Sequence, residues 1–104
     1  MAIARGKLRR APTPPGAFIA EDILGAFKLT QDDLATRLGV SRRTVNQLVK
    51  GHRRVTADMA LKLARLTGTS ARFWMNLQTA VDLWEAERAG AAKLARIAPI
   101  GRTA

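Results

Sequence analysis

Apolar residues recur at helical spacing in five separate blocks of this chain. Phe18, Ile19, Ile23, Leu24 and Phe27 make the stripe of a first helix predicted over 16–27. Leu34, Ala35 and Leu38 face inward on a second, and Val45, Leu48 and Val49 fall at i, i+3 and i+4 of a third. Met59, Ala60, Leu63, Ala64 and Leu66 define a fourth helix ending near Thr67. Phe73, Trp74, Leu77, Ala80, Val81 and Trp84 cover one broad arc of a fifth, predicted over 71–88. A chain patterned in this way is all-α, and 104 residues are enough for one domain with a modest core.

The residues between the blocks agree with that reading. Thr30 is placed to cap the second helix, with Asp33 at the capping-box position and Asp32 favouring the helix dipole. Gly39 supplies a left-handed turn that a β-carbon would penalise, Val40 plugs the gap between the helices, and Ser41 caps the third helix. Thr56 and Ser70 cap the last two, and Gly68 ends the fourth. The segment from Thr30 to Leu48, TQDDLATRLGVSRRTVNQL, therefore has the spacing of a helix-turn-helix.

The third helix is sharply two-faced. Opposite its apolar side lie Arg42, Arg43, Asn46, Gln47 and Lys50, the side-chain types that read base edges in a major groove. Any amphipathic helix also has a solvated polar face, so the residue types alone leave both readings open. Charge separates them. Between Asp33 and Asp58 there is no acidic residue, while Arg37, Arg42, Arg43, Lys50, Arg53 and Arg54 fall in that interval. An ordinary solvated face mixes both signs, and a single-sign field is normally reserved for a polyanion. The net charge of +10 points the same way, to nucleic acid or an acidic surface. A sequence-blind architectural binder would not need the mixture of Arg, Asn and Gln.

Other classes are excluded or unsupported. With no cysteine, one histidine and eight carboxylates, the chain assembles no convincing acid–base pair or metal cluster, so neither an enzyme nor a cofactor is expected. His52 suits a phosphate contact or simple exposure. The basic stretch from Arg5 to Arg10 runs into RAPTPPG rather than an apolar run, and nothing approaches the ~18 apolar residues of a membrane span. A cytoplasmic protein with no membrane partner is expected. Residues 1–15, with Pro12, Pro14 and Pro15, read as a basic, extended arm that could reach DNA, reach a partner or simply solubilise. Residues 16–88 form the domain, and 89–104 an alanine-rich basic tail, either a short helix ending before Pro99 or a frayed end. Met75 and Leu83 project away from the arc of the fifth helix, which suggests a second buried surface and hence a twofold dimer contact.

Three blocks in order carry a family resemblance. They are Pro15-Gly16 opening the first helix, the helix-turn-helix with its sequel VTADMALKLARLTGTS, and Phe73-Trp74-Met75-Asn76-Leu77-Gln78 continuing through Asp82 and Leu83. Over about 15–84 the chain resembles the HigA-type antitoxins, DNA-binding members of bacterial toxin–antitoxin pairs within the Cro/C1 (XRE) repressor-like superfamily. Ala71-Arg72 stands where a proline and an acidic residue are more usual, and Lys50 where a small polar residue is commoner.

The resemblance implies a compact five-helix Cro/C1-like domain with a long C-terminal helix. It also implies a homodimer that represses its own operon at an inverted-repeat operator and binds a cognate HigB/RelE-like ribonuclease toxin. A free-standing regulator of the same fold, with no toxin, is the alternative. By position, Gln31 is expected against the DNA backbone or an adjacent base, and Arg42, Arg43 and Gln47 against base edges. Thr44 and Asn46 lie beside them, and Arg53 and Arg54 are expected on flanking phosphates. Ser41 and Lys50, at the two ends of the helix, complete the expected DNA-binding set. Asn76 and Gln78 are expected to make structural hydrogen bonds. The toxin surface is left open among the arm, the first helix and the tail.

Overall fold

Capping chemistry sets the start of every helix after the first. In the computed structural model, which describes residues 10–101, the elements are α1 (Pro15–Phe18), continued by a π-helical segment (Ile19–Gly25), then α2 (Gln31–Leu38), α3 (Arg42–Val49), α4 (Ala57–Thr67) and α5 (Ala71–Leu94). No strand occurs among the described residues, and five helices build the domain as expected. Residues 1–9 of the expected arm and 102–104 of the expected tail lie outside the described residues.

At α2 the capping box is complete: Asp33 N–H donates to Thr30 Oγ1 and Thr30 N–H to Asp33 Oδ2, both at 3.0 Å. The bond from Thr30 N–H favours the ionised carboxylate and, with a smaller contribution from the Thr30 hydroxyl, holds the Asp33 carboxyl below its ordinary value. Ser41, Thr56 and Ser70 cap α3, α4 and α5 through single bonds from Thr44, Met59 and Phe73 N–H. Gly39 and Gly68 end α2 and α4 at positive φ, 73° and 79°.

The buried core is drawn from all five helices. Ile19, Ile23, Leu34, Leu38, Val45, Leu48, Met59, Leu63 and Trp74 meet at its centre together with Val55, which lies in the connection before α4. Phe73 stacks edge-on against Phe18, with ring centroids 5.5 Å apart, tying α5 to α1. The glycine at the start of α1 permits a close approach. A β-carbon on Gly16 would lie 2.4 Å from the Leu48 carbonyl oxygen and 2.6 Å from that of Val49, so α1 rests directly on the backbone of the last turn of α3.

Three sequence expectations are corrected here. The first helix is not a regular α-helix over 16–27: beyond Phe18 it winds wide, with i→i+5 bonds such as Ala26 N–H to Glu21 O at 3.0 Å. The wider turn slips the register of the apolar stripe, so Ile19 and Ile23 are buried while Phe27 is 70 % exposed. The fifth helix, expected to end near Arg88 ahead of a short alanine-rich helix, joins that helix across a kink at Gly90 (φ −113°, ψ 16°) and runs to Leu94, because alanine-rich sequence sustains a helix without needing a core-facing stripe.

The third correction concerns packing along α5. Ala80, Val81 and Trp84 are only half-buried and stand outside the core, Gln78 being the last buried residue of α5. Trp84 instead takes the Arg88 guanidinium over its ring, 4.5 Å from the centroid. Met75 likewise does not project freely: it is half-buried and packs against the core. Leu83 does project, with 65 % of its surface exposed.

Candidate nucleic-acid interface

α2 and α3 are joined by a left-handed glycine turn, with Val40 half-buried between them as expected. Val45 and Leu48 pin α3 to the core, which leaves its opposite side outward. Arg42 and Arg43 at the head of that side and Lys50 at its end are exposed, while Thr44, Asn46 and Gln47 are half-buried. No acidic residue lies on α3 or in the turn that follows, and Asp32 on α2 approaches only Arg42, at 3.7 Å. Both partners of that pair are well exposed, so it restrains the guanidinium weakly.

The polar side chains of this face are organised by bonds to one another. Asn46 Nδ2 donates to Gln31 Oε1 at 3.1 Å, linking the first residue of α2 to the middle of α3. Ser41 Oγ is taken up by the Thr44 N–H at 3.0 Å and lies 2.9 Å from Thr44 Oγ1, so Ser41 serves first as the helix cap. Gln47 Oε1 accepts from Arg53 Nε at 3.0 Å and from Arg53 Nη2 at 2.8 Å. Arg43 and Lys50 make no ion pair with any described residue, and His52 is exposed.

The turn after α3 explains the reach of Arg53. Gly51 sits at φ 78°, Gly51 N–H donates to Leu48 O at 3.2 Å and His52 N–H to Gln47 O at 2.8 Å. This pair of bonds satisfies the end of the helix and turns the chain back on itself, bringing Arg53 over Gln47. A cation-rich turn over Lys50-Gly51-His52-Arg53-Arg54 is what the sequence leads one to expect, and the glycine directly after the helical block is its hinge.

Arg54 departs from expectation. Rather than standing free for a phosphate, its Nη2 pairs with Asp82 of α5. Asp82 Oδ1 in turn accepts from Gln78 Nε2 at 2.9 Å, and Gln78 Oε1 accepts the Val55 N–H at 2.7 Å. Gln78 is the single buried polar side chain among the described residues, 6 % exposed, and it thus makes the structural bonds expected of it. Asn76 is exposed. The contact between positions 54 and 82 links residues 28 apart in sequence, beyond the reach of any local pattern.

This is the arrangement of a helix-turn-helix protein, and comparison with known proteins agrees. A helix-turn-helix family model matches residues 20–74. An uncharacterised HTH-type transcriptional regulator of Haemophilus influenzae is 41 % identical over 80 residues, covering 77 % of this chain and 75 % of the relative. The antitoxin HigA-1 of Vibrio cholerae is 39 % identical over 79 residues, covering 76 % and 74 %. Among solved structures, Pseudomonas aeruginosa antitoxin HigA with the higBA promoter superposes with a TM-score of 0.82 at 39 % identity, over 86 % of this chain and 98 % of that one. The chain belongs to the Cro/C1-type (XRE) helix-turn-helix family, in its HigA-type branch.

No group of three or more metal-ligating side chains occurs among the described residues. No helix there is long and apolar enough to cross a membrane.

Proposed function

We propose that this protein is a sequence-specific DNA-binding antitoxin that represses its own operon as a homodimer and neutralises a cognate HigB/RelE-like ribonuclease. The observation that carries the reading is the outward side of α3, where Arg42, Arg43, Thr44, Asn46, Gln47 and Lys50 stand together without an acid among them. Base-reading side chains and unopposed cations on one helix that a rigid core holds outward suit entry into a major groove. The family relation supports it, since the P. aeruginosa relative is described with promoter DNA.

In this reading Arg42, Arg43 and Gln47 address base edges, Thr44 and Asn46 assist them, and Gln31, Ser41, Lys50 and Arg53 position the helix on the backbone. Arg54 reaches a phosphate only by leaving Asp82. The dimer contact is assigned to the outer side of α5 and centred on Leu83, the Met75 side chain contributing what the core leaves uncovered. A twofold dimer of this kind addresses an inverted repeat with half-sites about 34–36 Å apart.

Nuclease footprinting on the promoter of the protein's own operon tests the DNA reading. Protection of one inverted repeat, with much weaker binding to random DNA at near-physiological salt, is the expected result. Equal protection of unrelated sequences would refute it. Co-expression with the neighbouring reading frame tests the toxin: rescue of growth from a small basic ribonuclease is expected. Sequence-specific binding without such rescue would instead favour a free-standing regulator with no toxin partner.

A further inference from the structure

Hydrogen-bond polarity on the reading face is set by one contact. We propose that Arg53 is a specificity-determining residue: by occupying the carbonyl oxygen of Gln47 it makes the pair a donor-only surface, which selects guanine over adenine at the base pair facing Gln47. The proposal rests on the reading of α3 as the DNA-recognition helix.

Gln47 Oε1 accepts two bonds from the same guanidinium, at 3.0 Å from Nε and 2.8 Å from Nη2. An arginine side chain has five N–H donors and no acceptor, so the amide nitrogen cannot be turned toward it. The orientation of Gln47 is therefore dictated by chemistry. The Asn46–Gln31 bond differs, because two amides pair equally well when both are turned over together, and it imposes no polarity on what Asn46 offers. With both lone pairs of Oε1 used, Gln47 has only its two Nε2–H donors left to present. Arg53 keeps three of its own.

Base edges respond unequally to such a surface. An unpartnered glutamine reads adenine by accepting from N6 while donating to N7, and the first of these bonds needs the oxygen that Arg53 holds. Guanine presents N7 and O6 side by side, both acceptors, and matches a donor-only pair. Thymine offers one acceptor at O4, and cytosine opposes the pair with a donor at N4. Releasing the oxygen for adenine would exchange charge-assisted bonds for a neutral one, a poor trade. The backbone is built to keep the contact, since the left-handed turn at Gly51 returns the chain so that residue 53 lies over residue 47.

The test is selection by the full-length protein, its Gln47→Ala variant and its Arg53→Ala variant from operator-derived DNA with each half-site position randomised. The position read by Gln47 is the one whose preference disappears in Gln47→Ala. There, wild type should favour guanine over adenine by at least about fivefold. Arg53→Ala should lower affinity for all sequences through the lost cation, but also bring adenine level with guanine or ahead of it at that position alone. A merely structural or phosphate-binding role for Arg53 would lower affinity without moving that ratio, and an unmoved ratio overturns the proposal. So does a wild-type preference for adenine, or the lack of any position that depends on Gln47 while specific binding persists. Loss of specific binding by the wild type would overturn the DNA reading itself, and the proposal with it.

Discussion

Replacing Gln78 by leucine probes the buried polar bond that joins α5 to the connection after α3. Leucine is close to glutamine in volume, so the change leaves packing nearly intact and removes the hydrogen bonding. Val55 N–H, which donates to Gln78 Oε1 at 2.7 Å, would be left without a partner inside the core, where Val55 itself is fully buried. An unsatisfied buried backbone donor costs about 1–3 kcal/mol. Losing the second bond, from Gln78 Nε2 to Asp82, adds little, because Asp82 is partly exposed and keeps Arg54. For a domain of this size each kcal/mol moves the melting temperature by roughly 4–8 °C, so a drop of roughly 4–24 °C is expected. Thermal and urea unfolding followed by far-UV circular dichroism, at one fixed protein concentration, measures it. Gln78→Glu keeps an acceptor for Val55 and serves as the comparison, though it sets a second carboxylate against Asp82. If Gln78→Leu unfolded within about 0.5 kcal/mol of wild type, the Val55–Gln78 bond would not be holding the turn.

Four further outcomes are expected. Gly16→Ala should destabilise by about 1–3 kcal/mol in the same unfolding assay, because its β-carbon would meet two backbone carbonyls that no rotamer change can relieve. Asp33→Asn should be less stable than wild type at neutral pH. The folded carboxyl is held below its unfolded value, so its contribution is present above the unfolded value and vanishes as pH falls through the folded one; unfolding across an acid series should show the two proteins converge. Asp82→Asn should release Arg54 while leaving Gln78 an acceptor. Fluorescence anisotropy should then show tighter binding to operator and random DNA alike, with a log–log salt slope steeper by up to about 0.9 per subunit, and an unchanged slope would mean that Arg54 meets no phosphate. Leu83→Glu should give a folded monomer by sedimentation; a persistent dimer would place the contact elsewhere.

Local chemistry made the helices legible. Thr30, Ser41, Thr56 and Ser70 cap the helices they were expected to cap, and Gly39 and Gly68 take the left-handed turns, since these bonds span only three or four residues and depend on side-chain type. Leu34, Val45, Leu48 and Leu63 are buried because a single face of each short helix is apolar. Periodicity failed where its assumed pitch failed. The π-helical winding after Phe18 turned Phe27 outward, and in α5 the apolar stripe ran on beyond Gln78, the last buried residue, so Trp84 met Arg88 instead of the core.

What the sequence by itself determined is thus the set of elements, their starts, and the cationic outward face of α3, all properties of residues near one another along the chain. Only the tertiary structure decided how the polar groups of that face, and of the turn and helix behind it, are spent. Arg54 turns to Asp82, Gln78 turns inward to Val55, and Arg53 donates to Gln47 Oε1. Hydrogen bonds of this kind depend on which donors and acceptors the packed helices and the glycine turn bring within about 3 Å, and no spacing rule along the chain encodes that distance.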